Sequence, residues 1–248
     1  MLAQQGEGAA AGLKPDYLAE ISAPVAKAPG AFLFPEVDRS PHSAANADLS
    51  RSSIPLARTL GFVGLLSWLS LIVFFIVGDP FGAFGDVGNG VLGLLSGALA
   101  VTLRPAAVAP NPGIKVLASS AAVLGSAIAV VGSVLILLDI TGFFLAGLVS
   151  GMGFALIGVW LVAFNRWIAD DLRERCPRRL PMVGIVAGAI MAVGFINIPG
   201  IVWGLDDMEK APVWILAGGV NWLGTYVLFP VWSIWFGRAL ARTRAPTS

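Results

Sequence analysis

Apolar residues fill six long runs of this chain between about positions 56 and 237, separated by short polar connections, and no run has an acidic or basic residue in its middle third. A hydrocarbon core about 30 Å thick takes about 20 residues of helix to cross, and backbone amides inside lipid are satisfied only within a helix or a closed barrel. The pattern therefore predicts an all-α fold, a polytopic transmembrane bundle of six helices, with spans at 57–78, 84–103, 114–138, 142–164, 182–204 and 212–237. Composition agrees: 56% of residues are hydrophobic and 12% charged, and the mean hydropathy is +0.81. These values lie outside the range of soluble domains.

Between the runs the charges alternate in sign. Arg51 and Arg58, then Arg104 and Lys115, then Arg166, Arg173, Arg175, Arg178 and Arg179, then Arg238, Arg242 and Arg244 mark one set of connections. The opposite set holds Asp79 and Asp86, then Asp139, then Asp206, Asp207 and Glu209, with Lys210 as its base. The positive-inside rule places the arginines and both termini in the cytoplasm, with the plasma (inner) membrane as the expected location.

The chain divides into a Pro/Ala-rich cytoplasmic tail at 1–55, a six-helix transmembrane domain at 56–237 and a basic tail at 238–248. The first tail lacks sustained periodicity and reads as disordered, and residues 1–30 lack the basic and apolar regions of a signal peptide. Within it, the turn at 16–22 and the apolar segment at 31–35 are candidates for docking to a partner or the membrane surface.

His42, the sole histidine, falls in the tail, and Cys176 is the sole cysteine. No span therefore offers the histidine that commonly holds haem, and the ligands for a zinc centre are missing. Lys115 and Lys210 sit at span ends, away from the mid-membrane place of a Schiff-base lysine. Without an ionisable residue in mid-span, proton-coupled transport and voltage sensing are disfavoured, while sodium coupling through backbone carbonyls stays open. The expectation is a protein with no catalytic constellation, no cofactor, no metal site and no nucleic-acid partner. An acidic rim able to hold a divalent ion is the weaker alternative for the aspartates, because their spacing matches no metal loop.

Three further patterns stand out. Asp79, Asp139 and Asp206, and again Arg104, Arg166 and Arg238, recur at near-regular intervals, as three hairpins of common ancestry would produce; similar loop lengths under the positive-inside rule would do the same. Glycines four apart, Gly93 and Gly97, Gly147 and Gly151, and Gly184 and Gly188, are candidate helix-packing faces, joined in the third span by Ser119, Ser126, Ala129 and Ser133. Whether such a face meets a neighbouring helix, a second copy or a partner membrane subunit is open. Asn89, Ser133, Asn197 and Asn221 all lie roughly 7 to 14 Å from the outer surface, with Thr225 one turn deeper.

Those five residues form a candidate polar pocket. Pro199 and Pro230 should loosen the helices beside it, freeing the carbonyls of Phe195 and Tyr226, and the same amides could instead bond between helices. Ile168, Leu172 and Cys176, with the pairs Asp171–Arg175 and Glu174–Arg178, predict a short amphipathic continuation of the fourth span before Pro177. Its arginines could bind anionic lipid or serve topology alone. Trp232, Trp235 and Phe236 read as an interfacial aromatic belt. Two functional classes follow: an accessory, scaffold or regulatory membrane subunit, or a small-solute transporter or channel using an outward-facing pocket.

Overall fold

The computed structural model describes residues 41–242; the docking segments at 16–22 and 31–35 and the end of the basic tail lie outside them. Six helices are long and apolar enough to cross a membrane, at Ser52–Val77, Phe81–Ala106, Pro112–Leu137, Phe143–Arg166, Leu180–Val202 and Val213–Arg242. Each packs on the next in chain order, and the last closes back onto the first.

Helix α1 (Pro41–Val77) extends well before its membrane span and contains His42 and Pro55. Residues 41–55, grouped with the tail on composition, are helical here. Residues added to an existing helix need no new nucleation, so the first span continues backward through this segment. Helices α2 (Phe81–Leu103), α3 (Pro112–Leu137) and α4 (Phe143–Arg166) follow. More than half of α4 is buried, and it packs against α2, α3 and the fifth span.

At the acidic end of the bundle, three turns open with a left-handed residue: Gly78 (φ 88°), Asp139 (φ 57°) and Gly204 (φ 62°). After Asp139 the N–H of Ile140 donates to the Leu135 carbonyl at 2.9 Å, and after Gly204 the N–H of Leu205 donates to Gly200 at 2.9 Å. These bonds satisfy carbonyls that the helix ends would leave free. The loop before the sixth span caps α4: the Asp206 carboxylate accepts from the amides of Gly142 at 2.5 Å and Leu145 at 3.1 Å. Asp206→Ala should cost about 1 kcal/mol, the usual worth of an N-cap, read as a melting point lowered by a few degrees in detergent.

At the arginine-rich end, α4 stops at Arg166, and the amphipathic continuation is a separate short helix, α5 (Asp170–Arg175). The break arises because residues 167–169 pair with the preceding connection: Val108 N–H donates to Trp167 O at 2.7 Å and Ala169 N–H to Ala106 O at 3.0 Å. Ile168 and Cys176 are thereby buried.

The last two spans are irregular. In the fifth, α6 (Leu180–Ala192) tightens into a 3₁₀ stretch at Val193–Asn197 before α7 (Ile198–Val202). Pro199 accounts for this, and the Phe195 carbonyl is taken by the N–H of Ile198. The sixth runs through α8 (Val213–Ala217), a 3₁₀ turn at Gly218–Val220, α9 (Asn221–Leu223), a π turn at Gly224–Leu228 and α10 (Phe229–Arg242). The π turn sits just ahead of Pro230, where a missing N–H leaves the ladder one donor short.

Candidate functional site

Glycines set how closely the helices approach. A Cβ at Gly125 of α3 would lie 2.4 Å from the Gly153 carbonyl oxygen, and one at Gly153 would lie 2.5 Å from that of Gly125. The same reciprocity joins α4 to α6, where Gly158 and Gly188 face each other's carbonyls at 2.6 and 2.5 Å. Close backbone contact of this kind holds helices together where lipid supplies no hydrophobic drive.

Of the six glycines singled out from sequence, Gly188 makes such a backbone contact. Gly93 faces Ala129 and the Ser126 carbonyl, Gly97 faces Ser126, Gly151 faces the amides of Asn197 and Asn221, and Gly184 faces Asn165. A Cβ at Gly147 would meet only the Trp222 ring, at 3.9 Å. The other glycines of these two reciprocal contacts, Gly125, Gly153 and Gly158, have no glycine four residues away to signal them.

Around this framework the polar residues form two groups in the half of the bundle nearer the acidic turns. In the first, Asn89 donates from Nδ2 to Ser133 Oγ at 3.2 Å and accepts at Oδ1 from the Tyr226 hydroxyl at 2.8 Å. One bond network thus ties α2, α3 and the sixth span. In the second, Asn221 Nδ2 donates to the Gly151 carbonyl at 3.1 Å, with Asn197 packed beside it against the same glycine. Asn197 Oδ1, Asn221 Oδ1 and Thr225 Oγ1 are buried without a hydrogen-bond partner in the protein.

The two groups flank a cavity of about 40 Å³ whose wall includes Asn89, Ser133, Asn221 and Thr225 from the predicted pocket; Asn197 is not part of the wall but packs against Gly151, which is. Sequence reasoning missed Asp86, Ser67, Ser150 and Tyr226, which also line it. Asp86 is assigned to the outer connection when polarity alone marks the loop. Because α2 starts at Phe81, directly after Pro80, Asp86 falls in the second turn of the helix. A cavity of this size holds a water or two, or a small ion.

The other acidic residues do other work. Asp206 caps α4, and Asp207 pairs with Lys210 at 2.9 Å while accepting from the Glu209 amide. The hydrogen bond from Lys210 holds the Asp207 carboxyl below the usual carboxylate range and raises the Lys210 ammonium. Among the described residues no three His, Cys, Asp or Glu side chains gather as a metal cluster.

The aromatic belt expected near the end of the sixth span is a core. Trp232 and Phe236 are fully buried, stacked at 5.0 Å between ring centroids, and Phe164 meets Trp232 edge-on at 6.2 Å. Trp232 Nε1 donates to Asn165 Oδ1 at 3.1 Å, and Asn165 Nδ2 donates in turn to the Leu161 carbonyl.

Burial pushes the Cys176 thiol up to about 11. Because the thiolate is the nucleophile, maleimide should label Cys176 about a hundred times more slowly at neutral pH than an ordinary thiol does. Labelling of the folded and the SDS-denatured protein measures this; equal rates would contradict the packing of that loop.

Fold and site together define a multi-pass helical membrane protein with a closely packed interior and a small polar cavity. Searches of family models, of curated proteins and of solved structures find no match to this chain.

Proposed function

We propose that this chain is a non-catalytic membrane subunit, of accessory, scaffold or regulatory kind. The observation that carries the reading is the reciprocal glycine packing at Gly125–Gly153 and Gly158–Gly188, which spends the bundle interior on helix contact. A cavity of about 40 Å³ is far smaller than the roughly 300–1,000 Å³ usual for organic ligands.

Large apolar side chains cover the outward surface of α1, among them Phe62, Leu66, Leu69 and Ile76. Such a surface serves lipid or a laterally packed subunit. Charge supports placement in the plasma membrane with both termini cytoplasmic: Arg166, Arg173 and Arg178 converge on a groove at the arginine-rich end, opposite the acidic turns.

The test is purification of the tagged chain in mild detergent or native nanodiscs. The expected result is a complex of fixed stoichiometry, with a second copy or another membrane protein, that survives gel filtration. A lone monomer that moves an organic solute across proteoliposomes would overturn the reading. The second reading, a small-solute transporter or channel, is favoured by one observation: Asp86, Asn89 and Asn221 share a cavity wall within the membrane. Under it, Asn221→Leu abolishes flux while the protein still purifies.

A further inference from the structure

We propose that the cavity between α1, α2, α3, α4 and the sixth span binds a monovalent cation of about sodium's size, with Asp86 as its charge partner. The wall carries one carboxylate, Asp86, and no basic side chain. A carboxylate on a membrane helix calls for an opposite charge, and the remaining wall supplies neutral oxygens instead.

Two wall residues also carry a buried oxygen that lacks a partner, independently of Asp86. Asn221 Oδ1 and Thr225 Oγ1 belong to wall residues that are 0% and 1% exposed, and neither oxygen has a hydrogen-bond partner in the protein. A buried polar atom left in this state costs free energy that a bound ion or water relieves. Ser133 Oγ, another wall group, receives the Asn89 amide, donates to the Ala129 carbonyl and retains a lone pair. The donor set is therefore all oxygen, as hard cations require.

Charge count selects the valence. One carboxylate balances one positive charge, whereas calcium sites gather several, and no cluster of three acidic or metal-binding side chains exists among the described residues. Volume selects the size: about 40 Å³ accommodates one small ion with at most a water or two. The Asn89–Tyr226 bond at 2.8 Å joins two wall residues and holds the amide in place. The site stands independently of the subunit reading, since a bound ion can brace a scaffold as well as accompany a solute.

The experiment uses the full-length chain in detergent and the sodium ion itself as probe. Exchanging N-methylglucamine chloride for sodium chloride at constant ionic strength should raise the melting temperature in a saturable way. It should also change the fluorescence of Trp222, which lines the cavity. Asp86→Asn should weaken half-saturation about a hundredfold, and Thr225→Val by about tenfold. Asp139→Asn, at a turn outside the cavity, should leave it unchanged.

Identical melting curves in sodium, potassium and N-methylglucamine would overturn the proposal, as would a wild-type response in Asp86→Asn. A carboxyl group that stays protonated, or a cavity filled by water alone, would give the first of these results. Should Asp86→Asn fail to fold, equilibrium dialysis of the wild type against radioactive sodium decides. One saturable ion per chain, weakened in Thr225→Val, supports the site, and no saturable binding removes it.

Discussion

Gly153→Val and Gly158→Val each prevent the bundle from closing. At Gly153 the first added carbon would lie 2.5 Å from the Gly125 carbonyl and 2.6 Å from the Ala129 amide, and at Gly158 it would lie 2.6 Å from the Gly188 carbonyl. The obstacle in both cases is backbone of a facing helix, which cannot turn away as a side chain can. Overpacking a core costs about 1–3 kcal/mol even where side chains can adjust, so each variant should exceed that range.

The measurement is yield of monodisperse protein and its melting temperature, which should fall by about 10 °C or more if the variant is recovered at all. Gly219→Ala is the matched comparison. It lies in a helical turn with nothing within 4 Å of the added carbon, so it should be neutral or slightly stabilising.

Trp232→Ala is the second large effect. The indole is fully buried, stacks on Phe236 and Phe229, and holds the Asn165 amide through its N–H. Truncations of this kind in soluble cores cost about 3–5 kcal/mol, and in lipid the loss comes from forfeited packing, so about 3 kcal/mol is expected. Trp232→Phe keeps most of the stack and leaves Asn165 Oδ1 unpaired, which should cost about 1–3 kcal/mol. Chemical unfolding in mixed micelles ranks the three proteins. If alanine and phenylalanine were equally mild, the aromatic cluster would not be the keystone of the arginine-rich end.

The six spans were legible in the sequence because bilayer thickness imposes a length and a polarity that no tertiary contact alters. Membership of the polar group was legible for a related reason: Asn89, Ser133, Asn221 and Thr225 are out of place in lipid, so depth alone gathers them. Their partners were not legible. Tyr226 reaches Asn89 only because the sixth span closes back onto the first, and no local pattern encodes that closure.

The glycines that face a neighbouring backbone escaped for a different reason. Spacing by four detects one face of one helix, whereas Gly153 and Gly158 face two different neighbours, α3 and α6. Asp86 escaped because polarity alone marks a loop, although Pro80 starts the helix ahead of it. Trp232 and Phe236 looked interfacial beside Arg238, yet helix α10 runs on to Arg242 and carries both rings into the bundle.

Six alternating spans are the foundation of every contact described above, and scanning cysteine accessibility tests them most directly. Single substitutions Asp79→Cys, Asp139→Cys and Glu209→Cys should react with an impermeant maleimide in intact cells. Val108→Cys and Arg178→Cys should react only after permeabilisation, with the buried Cys176 as a silent background. Labelling at 139 that required broken cells while 79 and 209 reacted in intact ones would contradict the threading, and the bundle with it.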